Sequence, residues 1–293
     1  MDVYLHLGAH RTGTTAFQAF LRTNRARLAA RGTALWLPGD LRGGPLEALA
    51  ARPGGRARAL ADRQLRRRLA GAIDRLEAAG HRRLIVSEEN LLGTMAGCLA
   101  AAAPYPEAGA RLARLDRLFD GRIARVGIGL RRPDDWWASV MAFRVSRGAP
   151  VPDAALLDRL ARQSRGWPEV LGDLIGALPS RPVASWRFED GIDRPEAVLA
   201  RLTGRPGPVG MRPAGHGRNA APCAARLAAY LAERGEPALP PGLVPLPGAR
   251  WMPFSPAQSA ALAHRYPTDI AGLPADPAAD LECTGDPAFG RPP

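Results

Sequence analysis

Residues 6–21, HLGAHRTGTTAFQAFL, hold the densest set of side chains suited to chemistry. Gly8, four intervening residues, Gly13, Thr14 and Thr15 lie between an apolar run that reads as a strand and a helical pattern. The spacing nearly fits G-x-x-x-x-G-K-[ST], a loop whose amides cradle phosphates and whose lysine reaches the distal ones. Here Thr14 occupies the lysine position, and the cation is Arg11, inside the loop. A nucleoside triphosphatase built this way lacks its usual phosphate contact. The amides of Thr12, Gly13, Thr14 and Thr15 at a helix N-terminus would still suit a phosphate or phosphosulfate anion.

Two further segments fall near strand ends. In LRRPDDWWAS, Arg131 precedes Pro133 by two residues and Ser139 follows it by six; in LIVSEENLLG, Glu88 and Glu89 follow an apolar strand pattern. With these in view, GAHRTGTTAFQ resembles the 5′-phosphosulfate loop of sulfotransferases that use 3′-phosphoadenosine 5′-phosphosulfate (PAPS), written P-K-[ST]-G-T-[TS]. It is most similar to the bacterial branch beginning H-x-G-x-x-K-T-G-T-T. Arg131, Pro133 and Ser139 are similar to the family's 3′-phosphate segment R-x-P-x5-S. The third segment is similar to the strand and acidic turn that carry the family's general base, and its serine, any residue, glutamate order selects Glu89 over Glu88. The matches lie within residues 1–146, about half the chain. One departure stands out: the family's loop lysine is Arg11 here, in a chain whose 40 basic residues are all arginine. Arginine keeps the charge but differs from an ammonium in reach and geometry.

The resemblance implies a transferase that moves a sulfuryl group from PAPS to an acceptor hydroxyl. In that chemistry charge grows on the leaving phosphate oxygen while the acceptor sheds a proton. Arg11 with the hydroxyls of Thr14 or Thr15 would stabilise the leaving side, Glu89 would take the proton, and Arg131 with Ser139 would hold the 3′ phosphate. The resemblance offers Arg218, in GHGRN with Asn219, as the late arginine that closes over the 3′ phosphate, with loop capping as the alternative reading of that segment, and His216 is a rival base. His10 is expected to shape the loop. Trp136, Trp137 and Trp186 are candidates for the core or for an acceptor pocket. The donor needs no metal bridge, so none is expected. The competing readings are a retired P-loop protein that binds nucleotide or nucleic acid, and a P-loop kinase using ATP and magnesium.

The elements that must position these residues follow from hydrophobic periodicity. Strands are expected at residues 3–7, 34–37, 84–86, 123–130 and 183–186, and helices at 14–30, 60–79, 107–119, 133–146 and 224–233. Strands alternating with helices, without an internal repeat, predict an α/β chain of the P-loop type: three layers, a mainly parallel central sheet and a helical cap. The main domain is expected over residues 1–266, with the cap and acceptor region at 147–180. Residues 204–222 and 235–256 read as loops, and 267–293 as an irregular tail.

Composition narrows the alternatives. The net charge of +12 would suit a nucleic-acid partner. However, Arg63 to Arg68 interleave with Leu65, Leu69, Ile73 and Leu76 at helical spacing, the pattern of an ordinary wet helix face, so nucleic acid is disfavoured. No apolar run is long enough to span a membrane, and no leader pattern precedes the first strand. Cys98, Cys223 and Cys283 are odd in number and far apart, which fits a reducing cytoplasm.

Overall fold

The computed structural model describes residues 1–44, 46–51, 56–191, 194–213, 221–239, 250–264 and 266–271. Short apolar runs form β1 (Asp2–His6), β2 (Thr33–Trp36), β3 (Arg83–Ser87), β4 (Ile123–Leu130) and β5 (Val183–Arg187). These make one five-stranded, all-parallel sheet in the order β2-β3-β1-β4-β5. A parallel sheet needs both faces covered, and the strands show it. Val3, Tyr4, Leu5, Leu84, Ile85 and Val86 are all buried, although alternate residues face opposite ways.

The two faces carry separate apolar clusters. On one, Leu5, Leu84, Val86 and Val126 pack with residues of the helices Arg56–Ala78, Ala108–Leu118, Pro133–Ser146 and Trp167–Ala177. On the other, Tyr4, Ile85 and Trp186 pack with the loop helix Thr14–Thr23 and the helix Pro195–Thr203. Connections that step from β1 toward β2 use the second face, and those that step toward β4 and β5 use the first, as right-handed crossovers require. The winding direction therefore reverses at β1, between it and both of its neighbours, β3 and β4. In open α/β sheets a crevice opens at that point, outside the strands' carboxyl ends.

The long helix Arg56–Ala78 buries Leu65, Leu69 and Ile73 and leaves Arg63, Arg66, Arg67 and Arg68 exposed, the amphipathic arrangement expected of it. The expected helix over 14–30 is broken at Asn24. The Asn24 Nδ2 donates to the Phe20 carbonyl and to the Arg212 carbonyl, both at 2.9 Å, and its Oδ1 accepts from the Arg212 amide at 2.8 Å. A tertiary clamp thus replaces continued helix.

Residues 147–180 contain the helices Ala154–Ala161 and Trp167–Ala177. Trp167, Val170 and Leu174 join the same apolar cluster as the strands, so the stretch expected to cap the sheet contributes to the helical layer on one face. The short helix Tyr266–Ala271 starts the stretch expected to be irregular. It is anchored because Tyr266 is buried and its hydroxyl donates to Glu189 Oε2 at 3.2 Å. The helix Pro195–Thr203, which periodicity did not single out, is signalled by Pro195 in its first turn. Among the described residues no helix is long and apolar enough to cross a membrane.

Candidate functional site

The loop after β1 is shaped by three left-handed residues, Gly8 (φ 31°), Arg11 (φ 64°) and Gly13 (φ 81°). A Cβ on Gly8 would lie 2.6 Å from Thr14 Oγ1 and 2.8 Å from His6 Cε1, so the turn requires glycine. Arg11 carries a side chain in this region, a conformation that costs about 1 kcal/mol or more and persists only where surroundings enforce it. The enforcement is visible. Thr12 Oγ1 donates to the Ala9 carbonyl at 2.5 Å, and Thr14 Oγ1 reaches the same carbonyl at 3.3 Å. Trp136 Nε1 donates to the His10 carbonyl at 2.7 Å, and Arg131 Nη1 donates to the Arg11 carbonyl at 2.9 Å.

The loop helix begins at Thr14 with Gly13 as its N-cap, no capping side chain and no acidic residue in its first turn. The first amides of any α-helix have no partners within it, and their dipoles favour an anion. Arg11 adds a charge beside them: its Nε donates to Ser139 Oγ at 3.0 Å, and its guanidinium lies 5.1 Å from the Phe143 ring centre. Arg131 and Ser139 are buried, the latter on the helix Pro133–Ser146. Loop and helix thus meet across the crevice between β1 and β4, which brings together Arg11, Arg131 and Ser139 from 120 and 128 residues apart. Gly129 permits this closeness, since a Cβ there would sit 2.9 Å from Thr12 Oγ1.

Burial, with repulsion from Arg250 and Arg11 added, lowers the Arg131 guanidinium to about 10. Arg11 is lowered by burial alone. Both stay cationic at neutral pH, and both would be relieved by an anion between them. Arg131 also lies over the Phe188 ring at 4.5 Å, and Trp167 Nε1 donates to its carbonyl at 2.7 Å. It is therefore a fastener of the loop as well as a buried charge.

The acidic turn faces the same loop. Glu88 is buried, accepts from Arg42 Nε and Nη2 at 2.7 Å each, and accepts the Asn90 amide at 3.0 Å, capping the 3-10 turn Glu89–Leu91. Its lone pairs are committed. Glu89 instead accepts from Gln18 Nε2 at 3.1 Å and from Arg42 Nη2 at 3.1 Å, with its side chain about one-fifth exposed. Burial pushes the Glu89 carboxyl up, but nearby His10, its own amide, Arg42 and Gln18 outweigh this and hold it below the usual value. At neutral pH it is a carboxylate able to accept a proton, with little driving force until a ligand displaces part of that shell.

Two histidines support these groups without being free to titrate near pH 7. His6 Nδ1 pairs with Ser87 Oγ at 2.7 Å, and its ring stacks on Trp186. Burial lowers it to about 4. Gln18 Nε2 also reaches Ser87 Oγ at 3.3 Å, so His6, Ser87, Gln18 and Glu89 form one chain of contacts from the sheet to the crevice. The Tyr105 hydroxyl accepts the His10 amide at 2.7 Å and meets His10 Nδ1 at 2.8 Å, while His10 Nε2 meets Asn90 Oδ1 at 3.3 Å. One tautomer satisfies all of them, with the proton on Nε2 and the Tyr105 hydroxyl donating to Nδ1. His10 shapes the loop as expected.

The three tryptophans are buried, and Trp136 belongs to the loop's support. Gln18, Arg42, His6 and Tyr105 were not singled out in the sequence. Thr15 is half-buried in the first turn of the loop helix. Arg218, His216 and Asn219 lie outside the described residues. Among the described residues, no three His, Cys, Asp or Glu side chains group as a metal site. Neither protein-family models, nor curated proteins, nor solved structures gave a match to this chain.

Proposed function

We propose that the chain is a P-loop-type sulfotransferase that moves the sulfuryl group of PAPS onto an acceptor hydroxyl. The observation that carries this reading is the meeting of Arg11 with Ser139, and of Arg131 with the loop backbone, at the β1–β4 crevice. A donor with phosphates at both the 5′ and 3′ positions calls for two anion sites in one crevice. The uncapped loop helix with Arg11, Thr12, Gly13, Thr14 and Thr15 suits the first, and Arg131 with Ser139 suits the second. Arg218 would complete the second.

In the reaction the acceptor oxygen attacks sulfur, the bond from sulfur to the bridging oxygen breaks, and 3′,5′-phosphoadenosine leaves. Arg11 stabilises the charge on the departing oxygen. Glu89 takes the acceptor proton, while Gln18 and Arg42 orient the carboxylate. Thr12 and Thr14 shape the loop through the Ala9 carbonyl rather than offering their hydroxyl protons to a ligand. The Arg11–Ser139 bond must open or be shared when phosphate enters. The test is transfer of labelled sulfate from PAPS into pools of phenols, sugars and lipids by the purified chain. Transfer that needs Glu89 supports the reading; phosphate transfer from magnesium ATP would replace it with the kinase alternative.

A further inference from the structure

A cavity of about 760 Å³ opens beside the acidic turn. One end is formed by Arg42, Glu88 and Asn90, the groups that flank or touch Glu89. Its floor is apolar, with Leu41, Leu49 and Leu91 buried beneath it. Arg58 and Arg68 of the long helix form the far wall. They are ten residues apart, which places them about 15 Å apart along the helix axis.

Among the residues that line the cavity, the three arginines Arg42, Arg58 and Arg68 face two carboxylates, Glu47 and Glu88, and the excess positive charge lies at the Arg58 and Arg68 end. Arg42 is committed to Glu88 and Glu89. That leaves Arg58 and Arg68, neither with an acidic partner among the described residues, against the exposed Glu47 on the rim. The volume falls within the range of small-molecule sites, which join an apolar floor to a few placed polar groups.

We propose that this cavity receives the acceptor, an amphipathic hydroxyl compound bearing an anionic group. Its apolar body would lie on the leucines, its hydroxyl would face Glu89, and its anion would meet Arg58 or Arg68. The assignment of this ligand as acceptor rests on the sulfotransferase reading. An uncharged acceptor would make no use of the two arginines, and a polyanion would make none of the apolar floor.

The experiment titrates 12-hydroxydodecanoate and 1,12-dodecanediol, which differ in one carboxylate, into the full chain with 3′,5′-phosphoadenosine present. The acid is expected to bind about 10-fold more tightly than the diol, the scale of one charged hydrogen bond. In Arg58→Gln/Arg68→Gln that advantage falls to about 1, while the diol and the bisphosphate bind as before. Both positions are helical and not buried; should the double variant fail to fold, each single variant is read the same way. Equal binding of acid and diol, or an acid preference that survives the substitutions, overturns the proposal. Bisphosphate binding is scored separately: its absence beside an arginine-dependent acid preference sinks the transferase reading and leaves the ligand class of the cavity standing.

Discussion

After β1 the chain enters its helix through Gly8, Arg11 and Gly13, all left-handed, and the first turn carries neither an acid nor a capping side chain. After β4 it enters through Pro133 with Asp134 and Asp135 in the first turn. Asp134 is buried and takes Arg132 Nε at 2.7 Å and Nη2 at 3.1 Å, while Asp135 pairs with Arg250. The second helix therefore meets its own dipole with its own carboxylates. The first leaves that role open, and an anion would fill it. Two junctions that share one crevice thus contribute differently: the first offers open backbone amides with the Arg11 guanidinium beside them, and the second offers the side chains of Arg131 and Ser139.

The largest expected effect tests whether the first junction works against a carboxylate. Glu89→Gln should lower kcat by roughly 10² to 10⁴, the range for a general base, with donor affinity nearly unchanged. Glu88→Gln should instead act on stability, because Glu88 caps the turn and pairs with Arg42. Near-normal turnover in Glu89→Gln would remove the carboxylate from the chemistry.

Acid should weaken the first junction through its buried histidine. His6 has a native value of about 4 against an ordinary 6.5, so between these the unfolded chain binds the proton and the native chain does not. Stability is full above pH 6.5 and falls as pH drops toward 4, by up to about 3 kcal/mol at 1.36 kcal/mol per unit. Urea unfolding of the wild type and of His6→Asn between pH 7 and pH 5 measures it. A wild-type slope no steeper than the variant's would show that burial does not hold His6 neutral.

Joining the junctions is the task of Arg131. Arg131→Ala removes its bond to the Arg11 carbonyl and should cost about 2 kcal/mol of stability, the scale of a charged hydrogen bond. It should also weaken nucleotide binding, because the left-handed Arg11 loses a restraint. Unchanged stability would mean that the loop holds its shape without the second junction. The smallest effect belongs to the self-neutralised helix. Asp134→Asn should cost about 0.5 to 1 kcal/mol, read as a lower melting temperature, and leave nucleotide affinity as it was. A large loss of affinity would show that the second helix end takes part in binding after all.

Much of this was legible in the residues. The strands were readable because a parallel sheet is buried on both faces, which keeps short runs such as Leu84 to Val86 apolar without alternation. The loop was readable because its geometry admits little beyond glycine at residue 8. Gln18, Arg42 and His6 were not, because each acquires its role from a partner 46 to 81 residues away. Asn24 is the extreme case, ending a helix through Arg212, 188 residues further on. Periodicity reports which face of a segment is buried, and it carries no information about such pairings.

The claim that one crevice takes two phosphates is tested most directly by calorimetric titration of 3′,5′-phosphoadenosine and adenosine 5′-phosphate, with EDTA present, into wild type and Ser139→Ala. The account predicts that the bisphosphate binds at least about 10-fold more tightly than adenosine 5′-phosphate and that this preference shrinks in Ser139→Ala. Equal affinity of the wild type for the two nucleotides, or loss of all binding on chelation, would contradict it.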